Sequence, residues 1–196
     1  MNTSLLLLFV WSAFLVTVAP GPDLLMVIHI SLERGWKMGF RLALGLCTGL
    51  VIHTLLVAKG LGVLLDTFPS LILAIKIFGV SYFLFLAYKA WNSKFSTLSK
   101  TVNFKGWLTG FIMNLTNPKV FIFFLGFLPQ FLFHETWSKA LQLSVLGGLF
   151  ILQALLVFLG VSYMSSRVQA WRPQFLFSAY WQTGLWLFFA LWILIS

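Results

Sequence analysis

Between Leu5 and Glu33 the chain meets one charged residue, Asp23, and that residue directly follows Ala19-Pro20-Gly21-Pro22. An apolar run of this length reads as a membrane-spanning helix, since about 20 residues cross a bilayer. Two prolines and a glycine in its interior forbid an unbroken one. Each proline lacks the N–H that its helical turn needs and disfavours helix at the residue before it. Carbonyls upstream lose their partners, which lipid tolerates only where the loosened backbone faces protein or water. Asp23 then places an acid at a depth where charge is expensive. A broken helix carrying a buried acid is the local pattern of a transport site. The structural alternative is a proline kink whose second half-helix is capped by Asp23, and both readings stand at this point.

Composition supports a membrane setting for that run. The 196 residues are 60% hydrophobic and 9% charged, whereas a soluble domain carries about a quarter charged residues. One core of this size cannot hide so much Phe, Leu and Trp. The chain therefore reads as an all-α polytopic membrane protein, a single transmembrane domain over 1–196. No basic segment precedes the first apolar run, so a cleaved signal peptide is not expected. Cys47 is the single cysteine, which leaves no intrachain disulfide and no cysteine metal site. The net charge of +9 sits in short loops between apolar stretches. It reads as a topology signal, with the lipid bilayer rather than nucleic acid as the partner.

Six spans are expected, over about 4–31, 40–64, 70–91, 107–133, 140–164 and 175–195, each near or above bilayer-crossing length. The first connection holds Arg34, Lys37 and Arg41, the third Lys89, Lys94, Lys100 and Lys105, and the fifth Arg167 and Arg172. The opposite side has Lys59, Lys76 and Lys139 beside Asp66 and Glu135. Positive charge favours the cytoplasm. The first, third and fifth connections are accordingly expected there, with 92–106 as a cytoplasmic connecting loop and both termini outside.

The fourth span carries the second informative stretch, Asn114-Leu115-Thr116-Asn117-Pro118-Lys119. As continuous helix, 107–133 would be about 40 Å long against a hydrocarbon core of about 30 Å. A break at Asn117-Pro118 accommodates the excess. Lys119 lies too deep to reach either surface easily, and the two asparagines with Thr116 suit either freed backbone or a polar ligand. In the first span Thr17 is placed to donate to a freed carbonyl. Gly39, Gly45 and Gly49 in the second offer close approach to another helix. His53 falls mid-membrane. It reads as a proton relay if it faces a cavity, or as a neutral histidine bonded to a neighbouring carbonyl, the reading preferred. Gln153 reads as interhelical glue, and neither of the last two spans is assigned a chemical role.

The first and fourth spans occupy corresponding places in two groups of three, 1–91 and 107–196. An odd number of crossings makes such halves inverted, which gives six transmembrane helices as two inverted three-helix repeats with broken first and fourth helices. This arrangement puts a site near the midplane. Each lead helix has a charge directly after its proline, Asp23 after Pro22 and Lys119 after Pro118. The two either pair with each other or are exchanged for ligand charges, Asp23 for an ammonium and Lys119 for a carboxylate. A zwitterionic amino acid suits the second use, and protonation of Asp23 would couple export to the proton gradient.

With these residues in hand the chain resembles the LysE/RhtB family of amino-acid exporters, the lysine exporter and homoserine/threonine resistance type. The matching words are Pro20-Gly21-Pro22-Asp23, then Gly35-Trp36-Lys37-Met38-Gly39 followed by Gly45, Gly49 and His53, then Gly60-Leu61 and Gly79-Val80-Ser81-Tyr82. They continue with Gly110-Phe111 leading to Asn117-Pro118-Lys119, and Leu128-Pro129-Gln130-Phe131. Their order and spacing carry the likeness over residues 5–133; beyond that it rests on length and span count. The resemblance implies efflux of amino acids or their derivatives across the bacterial inner membrane, driven by proton motive force. It also implies six helices in two inverted halves and a homodimer. It carries a substrate-pathway role onto Pro20, Gly21, Pro22, Asp23, Asn117, Pro118 and Lys119, to which the residue reading adds Asn114. Lys59 departs from the family pattern, where an apolar residue is usual, and the 92–106 loop is short.

Two rival functions are weighed. An ion or metal exporter of a related fold would need more ligands than three scattered histidines, one cysteine and four acids provide. An integral-membrane enzyme would need acids, histidines or nucleophiles gathered at one face. His134-Glu135 is the nearest such pair and reads as a solvated loop end. The expectation is thus a transporter rather than an enzyme, with no catalytic residue, metal or cofactor.

Overall fold

The computed structural model describes residues 3–61, 68, 71–92, 105–167 and 179–195. Asp66, Lys94, Lys100, Arg172 and most of the 92–106 connection lie outside the described residues. Helix α1 (Thr3–Val18) and helix α2 (Pro22–Arg34) are the halves of the first apolar run, bent by 59° at the expected break. Pro22 opens α2, the position at which a missing N–H is least costly. Gly35, at φ 81°, ends α2, and helix α3 (Trp36–Leu56) starts at the next residue. Glycine adopts that left-handed backbone without strain. The first connection therefore shrinks to one residue, and Lys37 and Arg41 belong to α3 instead of a loop. A π turn, Val57–Leu61, extends α3 and leaves Lys59 exposed.

Helix α4 (Leu71–Trp91) follows. The second broken run comprises helix α5 (Trp107–Leu115) and helix α6 (Pro118–Gly126), which leads into a 3-10 turn at Leu128–Phe131. The bend there is 54°, again at the expected proline. Helix α7 (Lys139–Arg167) and helix α8 (Ala179–Ile195) complete the described chain. Three helices are long and apolar enough to cross a membrane, at Trp36–Gly60, Leu73–Trp91 and Lys139–Arg167. Each bent pair counted as one span raises that to five, and Tyr180–Ile195 is a shorter apolar helix. Every element among the described residues is helical, which satisfies the backbone's hydrogen bonds within each segment, as lipid demands.

Helix α3 is the axis of the packing, in contact with α2, α5 and α7, while α4 pairs with α8. Glycines set the distances. A Cβ on Gly45 would run into the carbonyl oxygen of Trp107, and one on Gly110 into that of Leu42. Each glycine thus accepts the other helix's backbone, and α3 and α5 cross in direct main-chain contact. Gly49 leaves the space that the Asn114 side chain fills, and Gly39 the space beside Ser31 Oγ. Gly147 makes room for Thr54, whereas Gly148 has nothing within 4 Å, so close packing applies to the first of that pair alone. Phe123 packs among Phe127, Phe150 and Phe189 in tilted and edge-on contacts, with ring centroids 4.8, 5.2 and 6.4 Å away.

One polar residue with a structural task escaped the sequence reading. Gln142, 2% exposed, accepts from the N–H groups of Phe133 (2.8 Å) and His134 (2.9 Å). Its amide donates to the carbonyls of His134 (2.7 Å) and Trp137 (2.9 Å). The four bonds tie the 133–137 turn to α7. His134 stacks on Trp137 there at 4.9 Å and Glu135 is exposed.

Candidate functional site

The two breaks meet. In an unbroken helix the carbonyl of Ala19 would accept from the N–H four residues on. Pro20, Gly21 and Pro22 interrupt the turn, although Ala19 N still bonds Leu15 O at 2.9 Å. The released Ala19 carbonyl accepts instead from Lys119 Nζ, at 3.0 Å. Gly21 gives that ammonium its room, since a Cβ there would lie 3.2 Å from Nζ. The first broken helix is thus capped by a side chain of the second.

Asn117 makes the reciprocal link. Its Oδ1 accepts from the Lys119 N–H at 3.0 Å, which caps α6. Its Nδ2 donates to Asp23 Oδ2 at 2.9 Å. Asp23 and Lys119 form no direct ion pair; Asn117 stands between them in the bonding. Each charge occupies the first turn of its half-helix. The positive dipole end at a helix N-terminus favours Asp23 and opposes Lys119.

What these groups leave unsatisfied matters as much as what they bond. Asp23 Oδ1 is buried with no geometrically formed hydrogen bond, and so is Asn114 Oδ1, although the Asn114 amide lies close enough to act on the carboxylate. Lys119 has three N–H donors and spends one on Ala19. Nζ also faces the ring of Trp186, whose centroid lies 5.2 Å away. The orphaned oxygens and the ammonium border a small recess of about 30 Å³, whose polar lining is Thr17, Gly21, Asp23, Asn114, Asn117 and Lys119. Val16, Leu24, Leu50, Val120, Phe150 and Phe158 form the apolar side. One acid, one base and an apolar wall in one recess suit a small zwitterion.

The remaining expected residues are placed as follows. Pro20, Pro22 and Pro118 shape the breaks without lining the cavity. His53, 3% exposed, bonds the Asn114 carbonyl through Nε2 at 3.3 Å. Its Nδ1 has no partner, and Phe121 and Phe124 flank the ring. The preferred reading of His53 as a carbonyl-bonded histidine matches this contact. Thr17 donates to Ala13 O at 2.8 Å, within its own helix, instead of to a freed carbonyl. The hydroxyl is already at hydrogen-bonding distance from the carbonyl one turn back, and Lys119 takes the freed one. Gln153 meets Thr17 Oγ1 at 3.2 Å and joins α7 to α1, as interhelical glue should. His29 bonds Glu33 at 3.4 Å near the end of α2. Among the described residues no three His, Cys, Asp or Glu side chains gather into a metal-sized cluster.

Trp186 is the site neighbour that sequence reasoning missed. An aromatic in an aromatic-rich last helix carries no local signal of its task.

Fold and site together define an all-helical membrane protein with a charged recess between two broken helices. The chain belongs to the LysE type translocator family, whose model matches residues 14–195. It is 31% identical over 175 residues to the homoserine/homoserine lactone efflux protein of Salmonella typhimurium, which covers 82% of each chain. A leucine efflux protein of Salmonella choleraesuis is 32% identical over 126 residues, 61% of this chain and 59% of its own length. An uncharacterized membrane protein of Bacillus subtilis, YrhP, is 27% identical over 196 residues, 92% of this chain and 93% of its own. No solved structure matches the chain.

Proposed function

We propose that this protein is a secondary transporter that exports amino acids or amino-acid derivatives across the bacterial inner membrane. The observation that carries the reading is the recess between the two breaks, where a carboxylate with a free buried oxygen and a singly bonded ammonium share one cavity. The substrate ammonium replaces Asn117 on Asp23, or adds to its free oxygen. The substrate carboxylate takes the unused donors of Lys119. Its side chain lies against Leu24, Val120 and Phe150. Of the compounds in the relatives' names, homoserine and leucine share the zwitterionic head, whereas homoserine lactone keeps only the amine, for which Asp23 is the partner.

Six spans in two inverted halves are part of the proposal, with the first, third and fifth connections in the cytoplasm. Its support is positional: each break presents a proline, then a charge, in the first turn of a half-helix, and the two are joined by Lys119 on Ala19 and Asn117 on Asp23. Such a pair of discontinuous helices is the element that alternating access rocks about a midplane site. Export is driven by the proton gradient, with Asp23 taking up a proton when the ammonium leaves. His53 holds the Asn114 carbonyl at the end of α5; it is not required as a relay.

Efflux from proteoliposomes loaded with a panel of labelled amino acids tests this. Homoserine, leucine or a close neutral analogue should leave faster than from empty-membrane controls, and faster again with an imposed proton gradient. A parent protein that moves none of the panel would end the amino-acid reading. Efflux indifferent to the gradient would remove the coupling but keep the export.

A further inference from the structure

Lys119 is charged in an unusual way for a buried lysine. It sits at a helix N-terminus, where the dipole repels it, and no carboxylate bonds it. Its direct contacts are neutral groups, the Ala19 carbonyl at 3.0 Å and the face of Trp186 at 5.2 Å, while Asp23 acts on it through space without bonding it. Dipoles and ring quadrupoles attract a cation without cancelling its charge. An ammonium held this way has no ion-pair contact to give up when an anion arrives. One held by Asp23 would have to break an ion pair first.

Trp186 is itself fixed. It is 3% exposed and stacks on Phe83 of α4, with centroids 5.8 Å apart and planes 14° from parallel. Phe189, one turn along α8, lies 6.2 Å away. The ring cannot follow Lys119 if the ammonium moves, so the position of the cation is set by a rigid wall. From this geometry we infer that Trp186 is a positioning residue for substrate recognition: it holds the Lys119 ammonium free of Asp23 and aimed at the substrate carboxylate. This assigns a binding task to the last helix, and it rests on the amino-acid reading given above.

The test separates carboxylate recognition from simple wall-building. Purified protein in detergent is titrated with tritiated L-homoserine, with L-leucine, and with homoserine lactone, which keeps the amine but has no free carboxylate. Trp186→Leu and Trp186→Met remove the ring, and Trp186→Phe keeps one. The ringless variants should weaken homoserine binding about tenfold, the size expected for a desolvated cation–π contact. Lactone binding should stay within about twofold of the parent, and Trp186→Phe should retain most of the homoserine affinity. Equal weakening of both ligands in both ringless variants would overturn the inference and make Trp186 a packing residue. So would a Trp186→Phe protein as weak as Trp186→Leu, or ringless variants that bind homoserine normally. A parent that binds neither homoserine nor leucine would instead sink the amino-acid reading, and the inference with it. Two ringless side chains of different shape guard against one of them failing to fold.

Discussion

Asp23→Asn should lower amino-acid efflux by on the order of 100-fold while leaving the protein folded. The substitution is nearly isosteric and keeps an oxygen for Asn117 Nδ2, which now bonds Asp23 Oδ2 at 2.9 Å. The bond between the two broken helices therefore survives. What disappears is the charge. Loss of one partner from a buried, hydrogen-bonded charge pair costs about 2–5 kcal/mol, which is about 30-fold to several thousand-fold in an equilibrium or rate. The orphaned Oδ1 is buried, so solvent supplies little of what the carboxylate would offer the substrate ammonium. Asparagine cannot exchange protons either, so any residual efflux should no longer respond to a proton gradient. Efflux rates of parent and variant, compared at equal amounts of monodisperse protein, decide the matter. A variant that transports like the parent would leave the exporter reading standing and remove Asp23 from its site.

The second large effect is on folding. Gly110→Val should give little or no monodisperse protein in detergent. Overpacking a core costs about 1–3 kcal/mol where side chains can yield. Here the obstacle is the Leu42 carbonyl on the facing helix, and main chain in a helix has nowhere to rotate. The cost should therefore exceed that range. Gly45→Val should behave alike, because its obstacle is the Trp107 carbonyl. The control is Gly148→Ala, inside α7 with nothing within 4 Å; its thermal midpoint should equal or slightly exceed the parent's, since alanine is the better helix former. The crossing also serves the site. It sets the end of α5 against α3, and with it Asn114 in the gap over Gly49 and its carbonyl on His53. A Gly110→Val protein that purifies and melts like the parent would show that α3 and α5 are farther apart than described.

Much of this arrangement can be read from the chain before any coordinates. Proline chemistry is local, so Pro22 and Pro118 declare both breaks, and the small residues at Gly39, Gly45 and Gly49 declare a close helix contact. The charges after the prolines stand out because lipid makes them costly. Their partners do not stand out, because bonding between residues 94 and 100 positions apart has no trace in spacing. The sequence suggests Asp23 with Lys119; the geometry interposes Asn117 and sends Lys119 to Ala19. That outcome has a reason: the carbonyl released at one break needs a donor, and the only lysine of the other break lies beside it. Gln142 and Trp186 are silent for a different cause. An amide and an indole are ordinary in membrane helices, and their tasks arise only from what the fold sets opposite them. The end of α2 illustrates a third limit. A run of basic residues reads as loop, but Gly35 turns the chain in one residue and Lys37 and Arg41 continue as helix.

The most direct test of the account is a structure with homoserine or leucine bound. The ligand should lie between the two breaks, its amine at hydrogen-bonding distance from Asp23 and its carboxylate at Lys119, with its side chain against Val120 and Phe150. A ligand bound elsewhere, with Asn117 still on Asp23 and Lys119 still on Ala19, would contradict it.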